Sequence, residues 1–69
     1  MNKDSFAERL RELRLQQGLT QMQLAKLTGI SSTAIGHWEI RNREPKIEAV
    51  ICLAKFFNVT VGYMVGTED

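Results

Sequence analysis

Sixty-nine residues bound this chain to one domain, and its single cysteine, Cys52, excludes an internal disulfide. Nine Lys and Arg against eight Asp and Glu leave a formal charge of +1, weak evidence by itself for a polyanionic partner. One histidine and no apolar run of membrane-spanning length leave little room for a metal site, a catalytic constellation or a transmembrane helix.

Ser5 followed three residues later by Glu8 predicts a capping box that opens the first helix. Phe6, Leu10, Leu13 and Gln17 recur at helical spacing with Ala7 beside them, while Arg9, Arg11, Glu12 and Arg14 fill the wetter faces. Gly18 is placed to end this helix in a left-handed conformation, and Leu19 is an apolar anchor ahead of the next start. Thr20 with Gln23 repeats the capping signature, so the second helix is expected from Gln21 to about Leu27 or Thr28. Leu24, Ala25 and Thr28 share a face, and Ala25 is small where a larger side chain would push crossing helices apart. Gly29 suits a positive φ, Ile30 is expected to plug the core from the turn, and Ser31 supplies an N-cap oxygen.

The third helix, expected over about Ser32 to Ile40, carries no formally charged residue from Ser31 to His37. Only Ile35 and Trp38 read as inward anchors. The opposite face is short and polar, with Ser32, Thr33, Gly36 and His37, although glycine inside a helix costs about 1 kcal/mol against alanine. Two short helices joined by a tight turn, over about residues 20–40, have the layout of a helix-turn-helix, whose second helix can enter the major groove of DNA. Arg41, Asn42, Arg43 and Glu44 form a polar loop, and Pro45 is expected at or just inside the start of a fourth helix. Ile47, Val50, Leu53, Ala54 and Phe57 supply its apolar stripe. Asn58 is a C-cap, Val59 an anchor, Thr60 the N-cap of a short last helix to about Val65, and Gly66 its end. The fold class is therefore all-α: five helices in a single domain over residues 1–69, with no strand required.

An enzyme is not expected, because no nucleophile–base pair and no glycine-rich phosphate loop is present. Asp4, Glu8 and Glu12 repeat every four residues beside Arg9 and Arg11, which is ordinary surface charge patterning. No cofactor, metal or small-molecule substrate is implied. The lone thiol between Ile51 and Leu53 reads as a partly buried helix residue in a reducing cytoplasm, and the N-terminus does not resemble a signal peptide. Charge distribution adds a little: residues 1–63 hold all nine basic side chains against six acids. Arg41, Arg43 and Lys46 cluster directly after the motif, where they serve either as solvated surface or as phosphate contacts. His37 is either a solvated histidine or a DNA-facing one. Gln21, at the first position of its helix, can offer its amide to phosphate beside the unpaired N–H groups of the helix terminus.

The ordered set of Phe6 to Arg14, Gly18 to Ala25, Gly29-Ile30-Ser31, Ile35, Trp38-Glu39, Pro45, Leu53-Ala54 and Val59 to Tyr63 spans essentially the whole chain. It resembles the lambda-repressor and Cro-like helix-turn-helix DNA-binding domains, the XRE-type regulators of bacteria and their phages. The resemblance implies a compact five-helix domain that binds a palindromic double-stranded DNA operator as a homodimer and acts as a repressor. An antitoxin-like or protein-interaction module on the same fold is the alternative. By position, Gln21 resembles the glutamine that contacts phosphate and supports base readout. Ser32, Thr33 and His37 resemble base-edge positions, Ala34 a thymine-methyl contact, and Arg43 a phosphate contact, with Arg41 and Lys46 beside it. Leu24, Ala25, Gly29, Ile35, Trp38 and Glu39 support the motif, Glu39 by bracing helix ends. The family commonly has glycine where Arg41 stands, so either Arg41 takes a strained positive φ or Asn42 reshapes the turn. The α-helical reading face also lacks the glutamines or arginine of familiar bidentate base contacts. Ile51, Phe56 and Met64 look surplus to one small core and are the dimer-interface candidates.

Overall fold

Hydrogen-bonding side chains at the helix starts fix most of the boundaries in the computed structural model, which describes residues 3–68. The elements are α1 (Lys3–Gln16), α2 (Gln21–Thr28), α3 (Ser32–Glu39), α4 (Ile47–Phe57) and α5 (Val61–Val65). At the start of α2, Thr20 Oγ1 accepts from the Gln23 N–H at 3.0 Å while Gln23 Oε1 accepts from the Thr20 N–H at 2.8 Å. This reciprocal box satisfies two backbone donors that a helix start otherwise leaves open. Ser31 Oγ accepts from the Ala34 N–H and Thr60 Oγ1 from the Tyr63 N–H, which cap α3 and α5. Gly29, at φ 76°, makes the turn from α2 toward α3, and Asn58, at φ 57°, ends α4.

Three local expectations are corrected. The first helix already includes Lys3, so Ser5 lies inside α1 and is no N-cap; a Cβ built on Gly66 would meet the Ser5 side chain at 2.6 Å, so α1 and the end of α5 touch there. Gln17 lies beyond the end of α1 and is exposed, so it takes no part in the core. Pro45 is buried but outside α4, whose N-cap is Lys46 in an extended conformation. The side chain of Asp4 and residue Asp69, both counted in the charge pattern, lie outside the described residues.

One core joins the helices. Phe6 and Leu10 from α1, Leu24 from α2, Ile35 from α3, Val50 and Leu53 from α4 and Met64 from α5 are fully buried. Trp38 fills the space between α1 and α3, its ring edge-on to Phe6 with centroids 5.9 Å apart. Helix α1 packs on α3 and α5, α2 on α3 and α4, and α4 on α5. The aliphatic stem of Arg9 carries its guanidinium over the Tyr63 ring, 4.2 Å from the centroid, which adds a cation–π contact to the α1–α5 joint. No helix among the described residues is long and apolar enough to cross a membrane.

The end of α3 resolves the alternatives at Arg41. Arg41 itself is left-handed, at φ 63°, and Asn42 does not replace it in that role. The Arg41 N–H bonds to Trp38 O at 3.1 Å and the Asn42 N–H to His37 O at 2.9 Å, the paired bonds of a Schellman motif. The Arg41 guanidinium meets Glu8 on α1 at 3.2 Å, an exposed pair that holds the side chain over the first helix. Such a pair offsets little of the left-handed strain. Arg41→Gly should therefore raise stability by about 1 kcal/mol, read as a higher urea midpoint at unchanged slope; a lower midpoint would show that the Glu8 contact outweighs the strain.

Candidate nucleic-acid interface

Helix α3 has only two fully inward side chains, Ile35 and Trp38, and its remaining faces are left for something else. Its outer face and the start of α2 enclose an open hollow of about 490 Å³, lined by Gln21, Met22, Ser32, Thr33, Gly36, His37 and Ile40. A Cβ at Gly36 would stand 3.4 Å from Gln21 Oε1, in ordinary contact, so the glutamine lies directly over this point of α3. Met22 and Ile40 rim the same hollow at 67% and 70% exposure, the two most exposed large hydrophobic side chains among the described residues. Neither is among the site residues expected from sequence, although an apolar side chain on the solvent side of a capped helix is a signal of an interface.

Gln21 is held from behind. Its Nε2 donates to Glu39 Oε1 at 3.1 Å. The same carboxylate takes a two-pronged contact from Arg14, Nε to Oε2 at 2.7 Å and Nη2 to Oε1 at 2.8 Å. Arg14 Nη1 then donates to Leu19 O at 2.8 Å, just ahead of α2. The hydrogen bonds that Arg14 donates to Glu39 raise its pKa above the ordinary arginine value, burial works against the rise, and the charge of Glu39 adds to it. The expectation that Arg14 belongs to a wet face is thus overturned: it is nearly buried and follows Phe6 and Leu10 along the inward stripe of α1. Glu39 thereby links the end of α3 to α1 and to the first residue of α2.

The base-edge candidates do not all share one surface. Ser32, Thr33 and His37 line the hollow beside Gln21, whereas Ala34 lines a second depression with Trp38, Arg43, Glu44, Lys46 and Ala49. Arg43 and Lys46 are exposed beside that depression, and Arg41 is turned toward Glu8. Leu24, Ile35 and Trp38 are buried in the core, Ala25 packs against it, and Gly29 turns the chain at φ 76°. Among the dimer candidates, Met64 is 0% exposed, so it is removed from any surface. Phe56 is half-buried and stands edge-on to Phe57 at 5.0 Å, while Ile51 is exposed on α4, one turn after the exposed Ile47.

A helix-turn-helix family model matches residues 10–64, most of the chain and all of this geometry. The chain belongs to the helix-turn-helix family. This XRE-type, lambda- and Cro-like class of DNA-binding domains consists of transcriptional regulators, not enzymes. The domain is 41% identical over 64 residues to the transcriptional activator BcrR of Enterococcus faecalis, covering 93% of this chain and 31% of that protein. It is 37% identical over 59 residues to control protein C.SmaI of Serratia marcescens, covering 86% of this chain and 70% of the relative. Repressor protein C2 of Salmonella phage P22 is 33% identical over 64 residues, 93% of this chain and 30% of its own. A solved HTH_3-family transcriptional regulator from Vibrio cholerae superimposes with a TM-score of 0.82 at 26% identity, over 96% of this chain and 37% of that one. The chain thus spans about a third of the length of BcrR and of the solved Vibrio regulator.

The Arg14–Glu39 pair gives the domain a sharp mutational test. Arg14→Met keeps the stem in place but strands Glu39 without its cation in a nearly buried site. Loss of one partner of such a pair costs about 3–5 kcal/mol. A thermal or urea unfolding curve that barely moves would show that solvent or Gln21 alone satisfies Glu39.

Proposed function

We propose that residues 1–69 act as one sequence-specific DNA-binding unit of a transcriptional regulator, a repressor that occupies a palindromic operator as a homodimer. The observation that carries this reading is the outer face of α3, uncharged, polar and short, with Gln21 fixed beside it by a buried ion pair. A face built to be solvated has no need of a glutamine oriented from behind by a buried ion pair.

In this reading α3 enters the major groove and sets Ser32, Thr33 and His37 against base edges. Gln21 meets phosphate together with the open N–H groups at the start of α2. Arg43 and Lys46 follow the backbone from the loop after α3, with Ala34 near a thymine methyl and Arg41 a lesser contributor because Glu8 engages it. Met22 and Ile40 add apolar area at the rim. One recognition helix covers only a few base pairs, so discrimination is built from two half-sites related by a two-fold axis. Ile47 and Ile51, exposed one turn apart, offer the apolar surface for pairing, whereas Phe56 packs against the core from another side of α4. Occupancy of a promoter then excludes polymerase. The relatives support a regulatory role in general; an activator and a phage repressor both stand among them.

Selection from a randomised duplex pool at low salt tests the reading: folded protein that enriches no sequence would sink it. With an enriched palindrome, sedimentation should find two chains per duplex at saturation, and a one-to-one complex would refute the paired half-sites.

Single substitutions separate the contacts. Arg43→Ala should weaken cognate and random duplexes nearly alike and lower the slope of log affinity against log salt by about one unit. Gln21→Ala should weaken binding with little change in unfolding, since Arg14 still satisfies Glu39. A loss of stability greater than the loss of affinity would make Gln21 structural.

A further inference from the structure

We infer that Asn42 fixes the tautomer of His37, so that the ring presents Nε2–H outward as a donor and reads an acceptor atom on a purine edge. The inference rests on the reading of α3 as the groove-entering helix and adds the direction of its central hydrogen bond.

The amide nitrogen of Asn42 lies 2.9 Å from His37 Nδ1. An amide NH2 only donates, so Nδ1 must accept. A neutral imidazole carries one proton, and with Nδ1 accepting, that proton sits on Nε2. Asn42 is not free to wander, because its own backbone N–H is bonded to His37 O at 2.9 Å through the turn that Arg41 makes at φ 63°. Residue 42 therefore grips residue 37 twice, once at the carbonyl and once at the ring. The strained Arg41 conformation is what folds the chain back far enough for both.

Nε2 lies across the ring from the nitrogen that Asn42 occupies, and no partner for it is found among the described residues. The ring itself lines the hollow. Its neighbours there cannot set polarity: the hydroxyls of Ser32 and Thr33 donate or accept equally well. Gln21 has its NH2 directed at Glu39. Gln21 and His37 are then the two polar groups of this face with a direction set before any DNA arrives, and of the two His37 is the one that turns a donor outward. A fixed donor selects acceptors, and in the major groove these are N7 and O6 of guanine, N7 of adenine and O4 of thymine; cytosine shows a donor. The imidazole N–H makes a single hydrogen bond, and N7, the acceptor that both purines present, is the assignment made here. A phosphate oxygen offers the same acceptor chemistry and is separated by the test.

Long-range proton–nitrogen NMR spectra of the free domain at about pH 8.5, recorded on the neutral ring, should show His37 as the Nε2–H tautomer. Asn42→Asp replaces the donor with a group that only accepts, so the proton should move to Nδ1; Asn42→Ala should leave a mixture. Asn42 is exposed and its backbone bond survives both changes, so folding is not at stake. A wild-type ring dominated by Nδ1–H would overturn the inference. On an enriched duplex, a 7-deaza purine at the contacted position should weaken wild type about three- to tenfold, the worth of one hydrogen bond. It should cost His37→Ala nothing further. If a neutral methylphosphonate linkage, and no deaza base, reproduces that pattern, His37 reads the backbone and the base-edge assignment falls. The NMR result needs no DNA, so a protein that binds no duplex overturns the DNA reading and leaves the tautomer to stand or fall separately.

Discussion

The fork between Arg14 and Glu39 is the constraint on which the rest of the surface depends. A helix that must offer its outer face to a partner cannot use that face to hold itself in place. Helix α3 is short, has two inward anchors, and would be free to roll about its axis if only Ile35 and Trp38 secured it. Arg14 removes that freedom. Its planar guanidinium reaches the last residue of α3 by two prongs and the carbonyl of Leu19, just ahead of α2, by a third. A nearly buried ion pair of this kind adds little net stability over apolar packing, but it is directional where apolar contact is not. Gln21 inherits that direction through Glu39, so one guanidinium in α1 indirectly aims a side chain on the opposite side of the motif.

Two sequence choices look unfavourable in isolation. Gly36 weakens α3 as a helix, and it keeps the helix surface low where the Gln21 side chain lies, 3.4 Å from where a Cβ would stand. The left-handed backbone at position 41 brings Asn42 onto His37; glycine would take it without strain, and nothing in the structure explains arginine there. Local preference is thus overruled at the positions that shape the presented face and obeyed almost everywhere else.

That division explains what could be read from the residues. The Thr20–Gln23 box, the Ser31 and Thr60 caps and the left-handed Gly29 and Asn58 are local devices, complete within four residues, and they set α2, α3 and α5 correctly. The inward roles of Leu24, Ile35 and Trp38 follow from helical period alone. Arg14 was hidden because a charged side chain is ordinarily assigned to water; only its place on the stripe after Phe6 and Leu10, four residues on, argued otherwise. Ser5 carried a capping signature inside a helix, where its side chain meets Gly66 instead. Pro45 fits a helix start and an extended approach equally well, and the choice depends on where α4 docks. Counting apolar residues marked Met64 as surplus, but whether it reaches the core depends on the angle at which α5 crosses α1. The split between Ala34 and the hollow face, and the rim of Met22 and Ile40, likewise arise from how helices cross.

The contact between Ser5 and Gly66 has an architectural meaning. The first and last helices lie together, and the backbone at Gly66 sits so close to Ser5 that a side chain there would collide. Both ends of the folded unit are therefore gathered at one point on its surface. Any tether attached at either end leaves from the same place, so a module carried before α1 and one carried after α5 would sweep the same region of space around the domain. The order of modules along a polypeptide would then matter little to the geometry they achieve, whereas linker length and stiffness would matter a great deal. A fold arranged in this way can be joined to different neighbours on either side without its presented helix having to change.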